Sequence, residues 1–276
     1  MFSFRCVLYA LLLACSTQIA CAGTVAFWTF EEGTADAGAN GINTITESAN
    51  TLHGTPVGGP VYRSVAIPSS TLALEFDGSN DRVVVADDLL FRLDESMTLE
   101  ATVQPFSSPS SPSGAQILFR GDSRPGKDSF NLRMRTDNRL EFQVFNEIDG
   151  TAELVTPDPL SFTQLQHIAG TLDDATGEMK LFINGALVAS TSTSIRGQAL
   201  LDPLRMPGIG IGALNHGGQY FHGLIDNVRI SDMALTPDEF VAVPEPSTLV
   251  LAGCALLGLV LHGWRRRSRS TSRVIA

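Results

Sequence analysis

The sequence predicts an all-β fold, in which one antiparallel two-sheet sandwich accounts for most of the 276 residues. Three observations lead to this prediction: short segments alternate apolar and polar residues with period 2, turn-forming residues separate them, and helical periodicity is almost absent. About 220 residues organised in this way indicate one large sandwich rather than two domains. A chain of this size buries a full core without disulfide staples.

The clearest strands lie in the middle of the chain. Apolar and polar residues alternate over 130–135 and again over 140–144. Each segment predicts a strand with one buried and one solvated face, and residues 136–139 (Thr-Asp-Asn-Arg) predict the hairpin turn between them. Residues 99–103 repeat the alternation and predict a further strand.

A second hairpin and one short helix are predicted further along. Asn184-Gly185, between strands at 179–183 and 186–189, is the strongest two-residue hairpin signal that a sequence carries. Residues 236–239 (Thr-Pro-Asp-Glu) supply an N-cap, a proline at the first helical position and acidic residues in the first turn. We therefore expect a short helix here, ending before Pro244.

The first 22 residues have the pattern of a secretory signal peptide. An apolar stretch follows Arg5, and Ala20 and Ala22 occupy the small-residue positions that signal peptidase prefers. We expect cleavage after Ala22. The alternative is a lipoprotein signal with a lipidated Cys15, which the short apolar stretch before this cysteine disfavours.

An apolar span and a basic tail end the chain. Residues 247–264 contain no acidic or basic side chain apart from His262, and their number is near the lower limit of the roughly 17 to 25 that cross a bilayer as a helix. Arginines in the tail, 265–276, place that end in the cytoplasm and the preceding chain outside. The alternative, a buried C-terminal helix, is disfavoured because the span is apolar on every face.

The chain is therefore expected to consist of a signal peptide (1–22), an exported domain (23–242) and a sorting segment (243–276). The sorting segment resembles the PEP-CTERM signal of exported bacterial proteins, in which a Pro-Glu-Pro motif, an apolar span and an arginine cluster follow in this order. The motif residues are Val243, Pro244, Glu245 and Pro246. The resemblance implies that an exosortase recognises and cleaves at this motif. It also implies an envelope or extracellular location, with membrane anchoring by the C-terminal helix before or without processing.

Charge and cysteine content separate the exported domain from its flanking segments. The whole chain has a formal net charge of −10, but the domain keeps 13 of 19 basic and 28 of 29 acidic residues, so its own net charge is −15. Nucleic acid is excluded as a partner, because its phosphates require a basic surface. Cys6, Cys15, Cys21 and Cys254 all lie outside the domain, which excludes disulfides, thiol catalysis and cysteine zinc sites from it.

The exported domain resembles the LamG-like, concanavalin A-type jelly roll. The segments that carry the resemblance follow the family's order along the chain: 25–33, 52–55, 74–78 with 81–85, 167–173, 179–185 and 223–230. The predicted short helix also lies where this family has one. The resemblance implies two large curved antiparallel sheets, but no particular ligand, since the fold hosts lectins, glycosidases, adhesion modules and architectural domains.

No catalytic motif is found in the exported domain. Glu147-Ile148-Asp149 resembles the acidic strand motif of jelly-roll glucanases, which need two carboxylates on one face about 5 to 5.5 Å apart. Thr151 and Ala152 occupy the places of the second catalytic glutamate, and Asp149-Gly150 is a turn signal, so a hairpin tip is the better interpretation. The histidines are scattered without zinc-site spacing, and His167 is expected to be a packed, hydrogen-bonded core residue.

A structural calcium ion is the one cofactor that the resemblance implies. Asp226, in the closing strand, matches the calcium ligand of related jelly-roll enzymes, and Glu31, after the first strand, matches their N-terminal acidic ligand. A strongly acidic domain outside the cell suits Ca²⁺, which takes 6 to 8 oxygen ligands. The alternative is that Asp226 pairs with Arg229 or caps a turn.

The expected function is binding or architecture at the bacterial cell surface, with an extracellular polysaccharide or a matrix or surface protein as partner. Sugar rings stack on exposed aromatic side chains, yet the domain has only Trp28, Tyr62 and Tyr220 besides phenylalanines on apolar faces. Trp28 shares its strand parity with Phe30, which predicts a core position. We therefore expect weak binding, or none, through aromatic stacking. The alternative function is a glycoside hydrolase or lyase of the same fold with an unrecognised site.

Overall fold

A computed structural model describes residues 23–125, 128–198 and 200–241. Two antiparallel sheets face each other, as the sequence predicts. The first sheet contains β1 (Thr24–Trp28), β3 (Val61–Ile67), β4 (Ser70–Asp77), β6 (Met97–Pro105), β11 (Gln166–Leu172), β12 (Glu178–Ile183), β13 (Ala186–Ser192) and β15 (His222–Ser231). The second contains β2 (Thr55–Val57), β5 (Arg82–Ala86), β7 (Ala115–Gly121), β8 (Asp128–Met134), β9 (Arg139–Asn146), β10 (Gly150–Pro159) and β14 (Gly208–Ile211).

Neighbouring strands in the sheets are often distant in sequence. The first sheet has the order β13-β12-β11-β6-β15-β4-β3, and β1 pairs with the second half of β15. The second sheet has the order β10-β9-β8-β7-β14-β5-β2. The last strand, β15, therefore lies in the interior of the first sheet, between strands from the early part of the chain. Such non-local pairing is typical of jelly-roll sandwiches.

The hydrophobic core fills the space between the two sheets. Phe130, Leu132 and Phe142 alternate with polar residues along β8 and β9 and are fully buried. Burial of their side chains is the main favourable contribution to folding. The sheets approach closely at Gly170, where a Cβ atom would lie 2.7 Å from Cγ of Phe142. Trp28 is also fully buried, as its strand parity predicts.

The turns follow the residues that predict them. Asn138 adopts φ 66° in the turn between β8 and β9. Asn184 and Gly185 adopt φ 49° and 74° between β12 and β13, as a two-residue hairpin with left-handed central residues requires. Residues 147–149 join β9 to β10, so the acidic segment is a hairpin tip and not part of a strand.

The described chain ends in a segment that packs on the outer face of the first sheet. The predicted helix is a single 3-10 turn, Pro237–Glu239, closed by a capping box between Thr236 and Glu239. No helix within the described ranges is long and apolar enough to cross a membrane. The predicted signal peptide (1–22) and the predicted membrane span (247–264) lie outside those ranges.

Candidate functional site

A row of polar side chains covers the outer face of the second sheet. It consists of Gln116, Asn131, Arg133, Glu141 and Gln143, which alternate with core residues on β7, β8 and β9 and are called the polar face below. Strand pairing brings Asn131 beside Gln143, and Arg133 beside both Gln116 and Glu141. The sequence alternation predicts that these residues point away from the core, whereas their adjacency depends on the strand order.

Hydrogen bonds and ion pairs connect the polar face across its strands. Asn131 Nδ2 donates to Gln143 Oε1 at 2.7 Å. The fully buried carboxylate of Glu141 accepts from Arg133 Nε and from Arg135 Nη1, both at 2.8 Å. Two guanidinium groups thus share one carboxylate, and these charge-assisted bonds fix the directions of both arginine side chains.

Two acceptor atoms of the polar face have no partner among the described residues. The side-chain oxygens of Gln116 and Asn131 are both buried and lack hydrogen bonds. Arg133, the cross-strand neighbour of Gln116, also lines a cavity of about 210 Å³, together with Pro112, Ser113, Arg135 and Thr136. The lining offers guanidinium groups as donors and the hydroxyls of Ser113 and Thr136 as donors or acceptors. This combination suits a small ligand that both donates and accepts hydrogen bonds.

One aromatic ring on this side of the sheet is covered by a loop. Phe119 is fully buried beneath His216, with ring centroids 6.3 Å apart in an edge-to-face arrangement. A Cβ atom at Gly210 would collide with the carbonyl oxygen of Ala213, so the loop backbone lies directly on the sheet. Burial lowers the pKa of His216, against the opposing charge of Asp122. Phe119 therefore offers no open platform for sugar stacking.

The other three histidines in the described ranges have partners within the fold. They bond as follows: His53 Nδ1 with the backbone N–H of Glu47 at 3.0 Å, His167 Nε2 with Glu100 Oε2 at 2.8 Å, and His222 Nδ1 with Ser107 Oγ at 2.9 Å. His167 is fully buried, as the packing interpretation expects. Tyr62 is also buried, and its hydroxyl donates to Glu32 Oε1 at 2.9 Å. These contacts give the rings structural roles.

Two neighbouring carboxyl groups near the polar face have pKa values displaced in opposite directions. Burial raises the pKa of Asp128 to about 6. The positive charge of Arg133 opposes this rise, and the negative charge of Asp122 adds to it. Burial would also raise the pKa of Asp122, but hydrogen bonds from Arg124 outweigh it and lower the pKa. Opposite displacement is a pattern of acid and base pairs. However, Arg124 donates to both carboxylate oxygens of Asp122, at 2.9 and 2.6 Å, which leaves this group poorly placed to attack a substrate.

The two sequence-predicted calcium ligands lie close enough to interact electrostatically. Glu31 accepts from the backbone N–H groups of Thr71 and Leu72, both at 2.8 Å, and from the hydroxyls of Ser70 and Thr71 at 2.5 and 2.6 Å. These bonds outweigh the effect of burial and lower the pKa of Glu31. Asp226 is fully buried, and burial raises its pKa to about 7, with the charge of Glu31 adding to the effect.

A bulge in β15 surrounds Asp226 with further oxygen atoms. Asn227 adopts φ 49° there and donates to both oxygens of Asp226, at 2.7 Å from its backbone and 3.0 Å from its side chain. The side-chain oxygen of Asn227 is buried without a partner. The Ser70 hydroxyl contacts both Asp226 and Glu31. Because it carries a single proton, it can donate to only one of the two carboxyl groups at a time. The ion pair in this part of β15 joins Arg229 to Glu100.

The oxygen-only composition of this cluster fits a hard cation such as Ca²⁺. Asp226 and Glu31 would supply two carboxylates, and Asn227 and Ser70 would supply neutral oxygens. Within the described ranges no group of three or more His, Cys, Asp or Glu side chains is arranged to hold a metal. Neutral oxygens and water would therefore have to complete the coordination. The sorting residues 243–246 and the predicted cleavage site at Ala20 and Ala22 lie outside the described ranges.

Several solved structures share this fold at low sequence identity. Domain 4 of AbnA, a GH43 extracellular arabinanase from Geobacillus stearothermophilus, in complex with arabinotriose, matches with TM-score 0.56 and 18% identity over 81% of this chain and 98% of that chain. The binding domain of Paraclostridial Mosquitocidal Protein 1 matches with TM-score 0.55 and 14% identity, over 79% of this chain and 51% of that one. At these identities the likeness concerns the fold alone. No curated protein sequence matches the chain.

Family models match two consecutive parts of the chain. The PEP-CTERM protein-sorting motif matches residues 242–267, which implies export to the cell envelope. A model of the Laminin_G_3 family, described as concanavalin A-like lectin/glucanases superfamily, matches residues 77–240. This second match covers more than half of the chain and agrees with the observed jelly roll. The chain therefore belongs to the concanavalin A-like lectin/glucanases superfamily and carries a C-terminal PEP-CTERM sorting motif.

Proposed function

We propose that the exported domain binds an extracellular polysaccharide through the polar face, while the sorting segment holds or delivers it to the cell envelope. The observation that supports this proposal is a cavity lined by two guanidinium groups and two hydroxyls, to which Arg133 of the polar face contributes. Guanidinium and hydroxyl groups that line such a cavity can form hydrogen bonds with the hydroxyl groups of a sugar. Polysaccharides present such hydroxyl groups in a repeating array.

Binding would depend on hydrogen bonds more than on ring stacking. Trp28 and Tyr62 are buried, and Phe119 is covered by its loop. The polar face instead offers planar amide and guanidinium groups, which hydrogen-bond sugar hydroxyls well. Sugar hydroxyls exchange bonds with water for bonds with protein, so each contact contributes little net free energy. We expect millimolar affinity for a single sugar unit and stronger apparent affinity for a polymer that contacts several copies.

The test is binding of purified protein to a glycan array, followed by titration with the best polysaccharide. Asn131→Ala and Gln143→Ala are expected to weaken binding severalfold at a temperature well below the melting transition of each variant, because removal of the buried Asn131 amide also lowers stability. Gln104→Ala, an amide on the outer face of the first sheet, is the matched control and should bind normally. Normal binding by both polar-face variants, or tight binding that quenches tryptophan fluorescence, would contradict the proposal. Binding to a matrix protein but to no polysaccharide would identify a protein as the partner instead.

A glycoside hydrolase or lyase is the second candidate, and the opposed pKa displacements at Asp122 and Asp128 are the observation that favours it. We favour binding because Asp122 is held by Arg124 and Glu141 by two arginines, so neither is free to act as a nucleophile. Release of reducing or unsaturated ends from any polysaccharide on the array, abolished by Asp128→Asn, would establish catalysis instead.

An exosortase is the proposed processing enzyme. The match to the sorting motif supports this proposal. The residues that the enzyme would recognise are Val243, Pro244, Glu245 and Pro246. The signal peptide and the membrane span of residues 247–264 complete the proposed route, in which the domain crosses the membrane and stays attached until processing. Replacement of Glu245 by alanine should leave the precursor unprocessed in the producing cell, as seen by its size on a gel.

We also propose one structural Ca²⁺, held by Asp226 and Glu31. The two neighbouring carboxylates, together with the unpartnered oxygen of Asn227, support it. The ion would neutralise two neighbouring negative charges and join β15 to the segment after β1. If chelator leaves the melting temperature unchanged and metal analysis of the purified protein finds no calcium, this proposal is wrong.

A further inference from the structure

The last described residues, Asp232–Val241, are called the strap below, because they lie across the outer face of the first sheet. Leu235 and Phe240 of the strap form a small apolar cluster with Ala169 and Phe182. The rings of Phe182 and Phe240 meet edge to face at 5.2 Å. This cluster is separate from the main core, so the strap is attached by its own set of contacts.

Hydrogen bonds hold the strap backbone at its start. The Thr98 hydroxyl donates to the Met233 carbonyl oxygen at 2.6 Å and accepts from the Leu235 N–H at 2.9 Å. Both bonds come from one side chain on β6. Thr98 is fully buried, so water cannot take over these two hydrogen bonds if the hydroxyl is removed.

A buried charge cluster holds the strap at its end. Glu100 is fully buried, pairs with Arg229 and bonds His167 Nε2 at 2.8 Å. The same carboxylate accepts the backbone N–H of Val241 at 2.9 Å, and Arg229 donates to the carbonyl oxygen of Glu239 at 2.7 Å. These charge-assisted bonds to the backbone are among the stronger ones available to a protein.

The charge cluster therefore binds the chain immediately before the sorting motif, whose family match begins at residue 242. We infer that the strap is a lock on processing, which the sorting enzyme must open before it can bind an extended stretch of chain at the motif. Residues 242–246 separate the bound strap from the predicted membrane span, and five extended residues reach at most about 18 Å. Release of the ten strap residues would extend this reach to about 54 Å.

This inference rests on the proposed sorting function, and a pulse–chase measurement of precursor conversion in the producing cell tests both. Val241→Pro removes the N–H that Glu100 binds, and Phe240, at φ −65° and ψ 155°, already has the backbone conformation that a following proline requires. Loss of one such charge-assisted bond should make conversion at least about tenfold faster. Val241→Ala keeps the N–H and is the matched control, with conversion at the wild-type rate.

A second pair of variants, one test and one control, concerns the start of the strap, far from the motif. Thr98→Val removes the hydroxyl that binds the strap, whereas Thr171→Val changes its cross-strand neighbour, for which no strap bond is observed. Thr98→Val should accelerate conversion and also increase hydrogen exchange at the Val241 N–H in the purified full-length protein. Thr171→Val should change neither.

The outcomes separate the two proposals. If Glu245→Ala blocks conversion but Val241→Pro and Thr98→Val convert at the wild-type rate or more slowly, the sorting function stands and the lock is refuted. If Glu245→Ala converts normally, the sorting function fails whatever the strap variants do. Faster conversion in both strap variants, with Glu245→Ala blocked, supports the lock.

Discussion

The carboxyl group of Asp226 should make the metal-free protein less stable as the pH rises. Its pKa in the folded protein is about 7, against an ordinary value of 3.8 for an aspartate side chain. Between these two values the unfolded chain has lost the proton and the folded protein still holds it, so stability falls with increasing pH. Each pKa unit corresponds to about 1.4 kcal/mol, which gives a total loss of about 4 kcal/mol between pH 4 and pH 7.

Asp226→Asn removes this titration while keeping the size and an acceptor oxygen of the side chain. In chelator at pH 8 the variant should be more stable than the wild type by up to about 4 kcal/mol, and at pH 4 the two should be equal. The assay is urea unfolding at both pH values. Asp149→Asn, at the β9–β10 hairpin tip, is the control and should follow the wild type.

Calcium should remove most of the stability difference between the two proteins at pH 8. It binds the ionised carboxylate, so at a concentration 100 times its dissociation constant it would stabilise the wild type by about 2.7 kcal/mol. Asp226→Asn should gain much less. The reasoning is refuted if the variant keeps the full pH dependence of the wild type, or if calcium stabilises both proteins equally.

Three further predictions concern other parts of the sandwich. Gly170→Ala forces a methyl group against Phe142 and should destabilise the protein by about 1–3 kcal/mol in urea unfolding; an unchanged midpoint would contradict the close approach of the sheets. Glu47→Gln leaves two of the four backbone N–H groups that this carboxylate binds without an acceptor, and should cost at least about 2 kcal/mol in the same assay. Burial raises the pKa of Asp128 to about 6, so this group makes the protein less stable as the pH rises from 4 to 6. Asp128→Asn should remove this loss, which is no more than about 3 kcal/mol, from the free energy of unfolding measured against pH. An unaltered pH dependence would contradict the burial of Asp128.

Much of the fold could be predicted because its signals are local. Alternation in 130–135 and 140–144 identified two strands and their buried faces, and Asn184-Gly185 identified a hairpin whose residues adopt left-handed conformations. The same local rule identified the end of β9, where Asp149-Gly150 makes a turn. The order of strands within each sheet is non-local, and only the family resemblance indicated it.

The candidate sites were predictable to different degrees. The resemblance paired Glu31 with Asp226, and the two carboxyls do interact. The residues of the polar face were visible only as the solvated half of an alternation. That Asn131 meets Gln143, and that two arginines share Glu141, depends on strand register and on side-chain packing. Likewise, nothing in the sequence connected Glu100 to Val241, since 141 positions separate them.

The position of β15 has a consequence for how the chain folds during export. This strand lies between β6 and β4, and β1 pairs with its second half, so the first sheet lacks its centre until residue 231 is present. Sheets built from distant segments also form slowly, because long loops must close first. A chain that crosses a membrane from its N-terminus would thus remain unfolded, and able to pass through a narrow channel, until almost the whole domain has been delivered.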